Sequence, residues 1–372
     1  MKTGPNIKVC FFSRRYAGFG DHPDFLSRFD AYFFWIERFI NTCIDPFFII
    51  GSDKNSIVIY KNIRIYLVED KPRNHIFSFS RKFFKQASGI IRKEKPGIIH
   101  CHNLNDVVSH SILKRFTGGT SRYLVQDHGS VYRQKIKPLW FFFRGMDGII
   151  FNSEGQEDLW VKNRIFPSSK VFYLPEGTSR FDVSPEDLSE IKSGRPPRLL
   201  WVGNLTENKD PLTILQAVKE LITDFPGLLI TFIYREGNLL EEVREYIDKN
   251  NLINHVRLLG KIDHADMKDH YLSHDYFVLG SKKEGSGFAA IEAMSCGLIP
   301  VLSSIPSFRD ITGKEKTGIL FEQGNSYDLK LKLSSIFQSD RNQEKLKALM
   351  HFKNEWSPAA VVKKYEKLYS AF

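Results

Sequence analysis

Short runs of consecutive apolar residues, many of them β-branched, alternate along the chain with longer stretches whose apolar positions recur every three or four residues. The short runs have the length and composition of strands buried on both faces, and the longer stretches read as amphipathic helices covering them. In the first half the runs are Ile7–Phe12, Phe47–Ile50, Ile63–Val68, Gly97–Cys101, Tyr123–Val125, Gly148–Phe151 and Lys170–Leu174, with helical spacing over 25–42, 79–94, 104–116 and 154–161. Ser184–Pro197, which contains Pro185, Gly194, Pro196 and Pro197, breaks the periodicity and reads as a linker. A second series of runs follows at Arg198–Val202, Leu228–Tyr234, Val256–Leu259, Tyr276–Leu279, Ile299–Leu302 and Gly318–Phe321. Its helical stretches are 211–224, 238–249, 265–272, 288–296 and 326–337, and a last amphipathic segment, Pro358–Tyr369, is expected to pack back on the first domain.

Alternation of this kind builds parallel sheets. The expected fold is therefore α/β, with two Rossmann-like parallel-sheet domains facing a central cleft. The first domain is expected over 1–183, the linker over 184–197, the second domain over 198–355 and a C-terminal helix within 356–372. A length of 372 residues exceeds one ordinary core, which agrees with two domains. No solenoid-like repeat or low-complexity segment is present. Ligands of open α/β sheets sit beyond the carboxyl ends of the strands, so the loops following the strands are where chemistry is expected.

Composition narrows the class. Apolar residues at 42% and charged residues at 26% fit a soluble globular protein. No apolar run approaches the roughly 18 residues of a membrane span, and Ile7–Phe12 lacks a small-residue cleavage site after it, so it reads as a first strand and not a secretory signal. Cys10, Cys43, Cys101 and Cys296 are scattered without a C-x-x-C spacing, which speaks against a disulfide framework or zinc site and for a cytoplasmic setting. The charge is lopsided: residues 1–195 carry 30 Lys/Arg against 20 Asp/Glu, whereas residues 196–372 carry 23 of each. Within 61–95, ten basic and three acidic side chains interleave with Phe77, Phe79, Phe83 and Phe84. Such a face suits an anionic membrane, nucleic acid or an acidic acceptor, or it is simply a solvated helix surface.

Two loops of the second half carry the clearest chemistry. After the strand 198–202 comes Gly203-Asn204-Leu205-Thr206-Glu207-Asn208-Lys209-Asp210-Pro211. Asp210 can cap a helix that has Pro211 in its first position. Lys209 then lies beside a helix N-terminus, where a cation gains nothing from the macrodipole and an anionic ligand would resolve the mismatch; a solvated surface lysine is the alternative. After the strand 276–279 comes Ser281-Lys282-Lys283-Glu284-Gly285-Ser286-Gly287-Phe288-Ala289-Ala290-Ile291-Glu292-Ala293-Met294. Small residues there let a ligand approach the backbone, and the next helix offers amides to phosphate. Each charge-assisted hydrogen bond contributes about 1.5–3 kcal/mol, so several of them with Lys209 could neutralise a diphosphate. No clustered carboxylate or histidine motif demands a metal, and no cofactor is expected. Glu284 and Glu292 are eight residues apart, up to about 12 Å on an ideal helix. A hydrolytic carboxylate pair needs about 5–9.5 Å, so the spacing better suits two anchors on one long ligand. A third loop, Ser303-Ser304-Ile305-Pro306-Ser307, is expected to line the same crevice.

Glu284 and Glu292, embedded in E-G-S-G-F-A-A-I-E-A-M-S-C-G-L-I-P-V, resemble the E-x7-E signature of retaining glycosyltransferase family 4, which has the GT-B fold. G-N-L-T-E-N-K-D-P-L at 203–212 is similar to the phosphate-binding loop of that family, usually G-R-L…K. The resemblance is strong over about 198–325 and weaker but collinear before it. It implies a metal-independent, hexosyl-type transferase acting on a nucleotide sugar, with retained anomeric configuration. Glu284 would contact the donor sugar and Glu292 the ribose. Lys209 would hold the diphosphate beside the backbone of Gly287, Phe288 and Ala289. Gly18 and Gly20 would fall in a loop that touches phosphate or acceptor. His128 in Q-D-H-G-S matches the active-site histidine of the family, with His102 in I-I-H-C-H-N as a second candidate; a loop histidine satisfied by backbone is the other reading of His128. Two departures stand out. Asn204 in the donor loop replaces the usual arginine, with Lys282, Lys283 or Arg235 as substitutes, and the N-G-V-D segment common before the hinge becomes E-G-T-S at 176–179.

The implied partners are a nucleotide-sugar donor and a carbohydrate or lipid-linked acceptor in cell-surface polysaccharide or glycolipid synthesis, with no nucleic acid beyond the nucleotide. An epimerase of the same fold, or a non-enzymatic basic membrane- or nucleic-acid-binding protein, are the rivals. If the basic first half meets the cytoplasmic membrane face peripherally, binding to anionic vesicles will fall steeply with salt; absent or salt-independent binding would remove the membrane reading.

Overall fold

The structure, a computed structural model, describes residues 6–14, 24–70, 80–129, 138–188 and 194–372. Gly18, Gly20, Phe77 and Phe79 lie outside the described residues. The chain forms two compact units, one of Met1–Gly177 with Val361–Phe372 and one of Thr178–Ala360.

The sheet of the first unit contains β1 (Ile7–Ser13), β2 (Ile44–Ser52), β3 (Ser56–Tyr60), β4 (Ile63–Glu69), β5 (Ile98–His102), β6 (Arg122–Gln126), β7 (Gly148–Phe151) and β8 (Val171–Tyr173), in the order β3-β4-β2-β1-β5-β6-β7-β8. Neighbours pair in parallel except at the edge, where β3 runs antiparallel to β4. The sequence pattern did not foretell β3. Its turn is Lys61-Asn62, with φ of 45° and 67°, which supplies the positive φ at both central positions that a two-residue hairpin needs.

Side chains of β1 alternate between two cores, as a period of two requires. Cys10 and Phe12 join Phe83, Phe84, Ile91 and Leu113 beneath the helices Arg81–Glu94 and Val107–Thr117. Val9 and Phe11 join Phe29, Phe39 and Phe48 on the opposite face, beneath the helix Phe25–Phe33 and the 3-10 turns Phe34–Asn41. That second core is completed from the far end of the chain: Val361, Val362, Tyr365 and Tyr369 of the helix Pro358–Tyr369 are buried in it.

The sheet of the second unit contains β9 (Arg198–Gly203), β10 (Leu229–Tyr234), β11 (Val256–Gly260), β12 (Tyr276–Leu279), β13 (Ile299–Ser303) and β14 (Ile319–Phe321), in the order β11-β10-β9-β12-β13-β14. Every pairing is parallel. The division between units falls after Gly177, earlier than the expected end at 183. Val183 belongs to the second core, and Ser179 Oγ lies 2.7 Å from Ser295 Oγ, so the residues from Thr178 to Val183 go with the second unit. The helix Arg341–Glu355 was also not foretold. Its inner face carries Lys345, whose ammonium is buried and donates to the His274 carbonyl at 3.0 Å, and this charge interrupts the apolar stripe.

Strand order changes direction between β1 and β5 in the first unit, and between β9 and β12 in the second. Loops leaving such a pair diverge and open a crevice at the carboxyl ends of the strands.

Tyr369 is 1% exposed and its hydroxyl lies 2.6 Å from His100 Nδ1. Tyr369→Ala is expected to cost about 3–5 kcal/mol in urea unfolding of the first unit, the range for emptying a large aromatic site. Unchanged stability would show that the terminal helix is not part of this core.

Candidate functional site

The second unit brings its two candidate loops together at the switch between β9 and β12. Asp210, at φ 48°, caps the helix Pro211–Leu221: one carboxylate oxygen accepts from Thr213 N at 3.4 Å and the other from Thr213 Oγ1 at 2.8 Å. The aliphatic stem of Lys209 lies against Gly203 at the end of β9, where a β-carbon would crowd the Trp201 ring and touch the stem at ordinary contact distance. Behind this loop, Leu205 N donates to the Glu236 carbonyl at 2.8 Å and Leu239 N to the Leu205 carbonyl at 3.1 Å, and Gly237 (φ 159°) permits the close approach. Lys282 N donates to the Asn208 carbonyl at 2.7 Å, and Asn208 Nδ2 to the Lys283 carbonyl at 3.0 Å. Backbone therefore ties the loop after β9 to the loop after β12.

Held this way, the Lys209 ammonium forms an ion pair with Glu284 Oε1, which also accepts from Ser281 Oγ at 2.6 Å. The two side chains are 23% and 12% exposed. Ser303, from the third loop, donates to the Ser281 carbonyl at 2.6 Å and braces the Glu284 turn from the other side. Gly287 caps the helix Phe288–Ser295 at φ 63°, and a β-carbon there would collide with Ile311. Amides of Phe288 and Ala289 open this helix, in the first turn, whose N–H groups have no intrahelical acceptor. Lys282, Lys283, Arg235 and Asn204 are exposed around these loops.

Glu292 has different company. His264 Nε2 lies 2.8 Å from its Oε1, and Tyr271 Oη donates to its Oε2 at 3.2 Å. The hydrogen bond to Glu292, with the carboxylate charge, raises the His264 pKa against its partial burial, and Phe181 stacks on the imidazole at 5.1 Å. His264, Tyr271 and Phe181 were not read from the sequence; each is an isolated residue with no local motif.

In the first unit, His102 ends β5, His128 follows β6, and the two rings meet. His102 Nδ1 and His128 Nε2 are 2.9 Å apart, and the rings stack at 5.1 Å. His128 Nδ1 lies 2.6 Å from Glu176 Oε1, so neighbouring side chains engage both ring nitrogens of His128. Burial works against its charge, yet the carboxylate of Glu176 prevails and the His128 pKa is raised. Glu176 stood in the sequence only as part of an altered segment, and His100 only as the first histidine of I-I-H-C-H-N, without a role. Among the described residues, no group of three or more His, Cys, Asp or Glu could hold a metal ion, and no helix is long and apolar enough to cross a membrane.

Residues 185–349, which contain both loops, match the family described as glycosyl transferases group 1. This segment is a group 1 glycosyl transferase domain. The chain is 25% identical over 84% of its length to an uncharacterized glycosyltransferase of Methanocaldococcus jannaschii, 86% of which is aligned. It is 26% identical over 60% of its length to a GDP-mannose:cellobiosyl-diphosphopolyprenol alpha-mannosyltransferase of Xanthomonas campestris, spanning 60% of that protein. The structure superposes on Anabaena HepE in complex with UDP with a TM-score of 0.72, at 14% identity, covering 98% of this chain and 100% of that one. The likeness to family 4 glycosyltransferases is thus supported by the relatives, and the two parallel-sheet units are those of the GT-B fold. The group 1 domain carries Lys209, Glu284 and Glu292.

Glu284 and an incoming diphosphate would compete for Lys209. Inorganic pyrophosphate is expected to bind Glu284→Gln about fivefold more tightly than wild type in titration calorimetry, the release of one partly exposed ion pair. Weaker binding would show that the carboxylate does not occupy the ammonium in solution.

Proposed function

We propose that this glycosyltransferase moves a hexosyl group from a nucleotide sugar to an acceptor with retained anomeric configuration and without a metal ion. The observation that carries the reading is the Lys209–Glu284 pair at the β9/β12 switch, beside the helix start at Gly287. In this reading Lys209 and the amides of Gly287, Phe288 and Ala289 hold the diphosphate, Glu284 takes hydroxyls of the donor sugar, and Glu292 takes the ribose in exchange for part of its bonding to His264 and Tyr271. Asn204 gives the donor loop a neutral contact. The exposed Lys282, Lys283 and Arg235 surround the same loops and supply the remaining positive charge. His128, His102, Gly18 and Gly20 serve the acceptor side.

As the bond from the anomeric carbon to the diphosphate oxygen breaks, negative charge grows on the leaving phosphate. A fixed ammonium and prearranged amides stabilise that charge without reorganising. The acceptor oxygen attacks from the face the diphosphate leaves, and its proton passes to a departing phosphate oxygen. No carboxylate nucleophile is needed, and the protein contributes positioning and charge stabilisation. A hydroxyl on a lipid-linked or cell-surface polysaccharide precursor is the acceptor class, in keeping with the name of the Xanthomonas relative and with the basic first half of the chain. Such an acceptor places the protein on the cytoplasmic membrane face.

A panel of nucleotide sugars tests the reading by thermal shift, because a bound donor raises the melting temperature by mass action. With the donor so found, Lys209→Ala is expected to lower transfer by about 10²–10³-fold, the loss for one transition-state charge contact, while leaving the melting temperature of the free protein unchanged. Turnover at the wild-type rate would refute the assignment. Conversion of donor without any acceptor would mark an epimerase.

A further inference from the structure

The first unit contains a row of polar rings that phosphate binding does not use. His100 and His102 are two apart on β5 and point to the same face of the sheet, where Phe11 stacks on both at 5.3 and 5.9 Å. The two imidazoles stack on each other at 5.1 Å, and His102 stacks on His128 at the same distance. The row ends at Glu176, whose Oε2 also accepts from Asn152 Nδ2 at 3.3 Å.

Proton bookkeeping along this row is constrained. His100 sits between Tyr369 Oη at 2.6 Å and Gln126 Oε1 at 2.9 Å. Gln126 spends its amide protons on the Leu174 carbonyl at 3.2 Å and Asn152 Oδ1 at 3.4 Å, so its oxygen is an acceptor. One nitrogen of His100 therefore donates and the other accepts, as in a neutral ring, and burial lowers its pKa to about 3. Burial likewise lowers that of His102, reinforced by the neighbouring imidazoles. His128 faces the carboxylate of Glu176.

Glu176 is acceptor-only when ionised, so Nδ1 of His128 must carry a proton. If His128 is neutral, its Nε2 accepts from His102 Nδ1–H. If His128 is charged, its Nε2–H donates, and the proton of His102 must move to Nε2. The 2.9 Å bond between the rings thus couples the charge of one to the tautomer of the other.

We propose that Glu176 is a positioning residue for glycosyl transfer: it clamps His128 through Nδ1 and, across the imidazole–imidazole hydrogen bond, sets which nitrogen of His102 carries the proton. The catalytic half of this statement rests on the reading that this end of the first sheet serves the acceptor side; the clamp itself does not. The sequence departure at 176–179 supports a specific role, since an amide in place of Glu176 could satisfy the ring nitrogen but could not favour an imidazolium. Other titratable groups facing the row are Asp127, beside His128 in the chain and charge-coupled to it; His110 on the helix Val107–Thr117, with Asp106 before it; and Tyr365 and Tyr369 on the terminal helix.

A histidine whose pKa rises on folding adds stability that is complete below the unfolded pKa and lost as pH rises through the folded value. Replacing Glu176 leaves burial opposed only by the smaller effect of the Asp127 charge, so His128 should lose its proton at lower pH. The test is ¹⁵N NMR of the histidine rings in the full chain, in wild type, Glu176→Gln and Glu176→Asp. In wild type, His128 is expected to titrate above the ordinary imidazole range, with the His102 nitrogens exchanging protonated and unprotonated shifts at the same pH. In Glu176→Gln both transitions should move together to below that range, and Glu176→Asp should restore part of the shift. A His128 midpoint unmoved by Glu176→Gln, or a His102 tautomer that does not follow it, overturns the clamp. In transfer assays Glu176→Gln is expected to lower kcat by about 10²-fold, the cost of a misplaced group, with donor KM held and one limb of the pH profile displaced. Coupled rings with unchanged kcat and pH profile overturn the catalytic role alone. Wild type that transfers nothing to any acceptor would count against the functional reading, while the NMR result still decides the clamp.

Discussion

One ammonium group cannot fully compensate two anions at once, and the second unit is arranged around that fact. Lys209 is paired with Glu284, and both stand where the strand order reverses between β9 and β12. The Lys282–Asn208 backbone bond, the Ser303–Ser281 contact and the Gly287 turn brace the loops that carry this pair. A ligand that brings phosphate to Lys209 must also give Glu284 something to bind, and a sugar hydroxyl is a donor of the right kind. In the proposed reading, the pair would favour a molecule carrying both groups over free phosphate.

Much of this was legible in the sequence, for identifiable reasons. Parallel strands are buried on both faces, so β1, β5, β9 and β12 announce themselves as short apolar runs bounded by polar loops. Asp210-Pro211 and Gly287 are local helix-start signals, and they mark Lys209 and Glu284 as strand-end residues in the sequence alone. What stayed hidden depends on partners distant in the chain. His264 and Tyr271 matter because they bond Glu292, and Glu176 matters because it meets a histidine 48 residues earlier. The helix Arg341–Glu355 was masked by one buried lysine, and β3 by an edge position that asks little of its outward side chains.

The two units handle charge in opposite ways. In the second, a lysine and a glutamate neutralise each other at a half-covered strand end, where solvent or ligand can take over either role. In the first, three imidazoles lie against a phenylalanine-rich sheet, and burial holds His100 and His102 neutral. Glu176 is the exception that keeps a proton at the row's outer end. A fold built twice from the same strand–helix alternation thus carries an ion pair at one strand switch and a row of imidazoles at the other.

The terminal helix carries a consequence for biogenesis. The residues that seal one face of the first sheet, Val361 to Tyr369, are translated only after the whole second unit. On the ribosome, Phe11, Phe39 and Trp35 therefore wait beside an unfilled groove while another domain is being made. Unfinished hydrophobic surface of that kind recruits chaperones and invites aggregation, so the first unit stays exposed to both until the helix Pro358–Tyr369 has emerged.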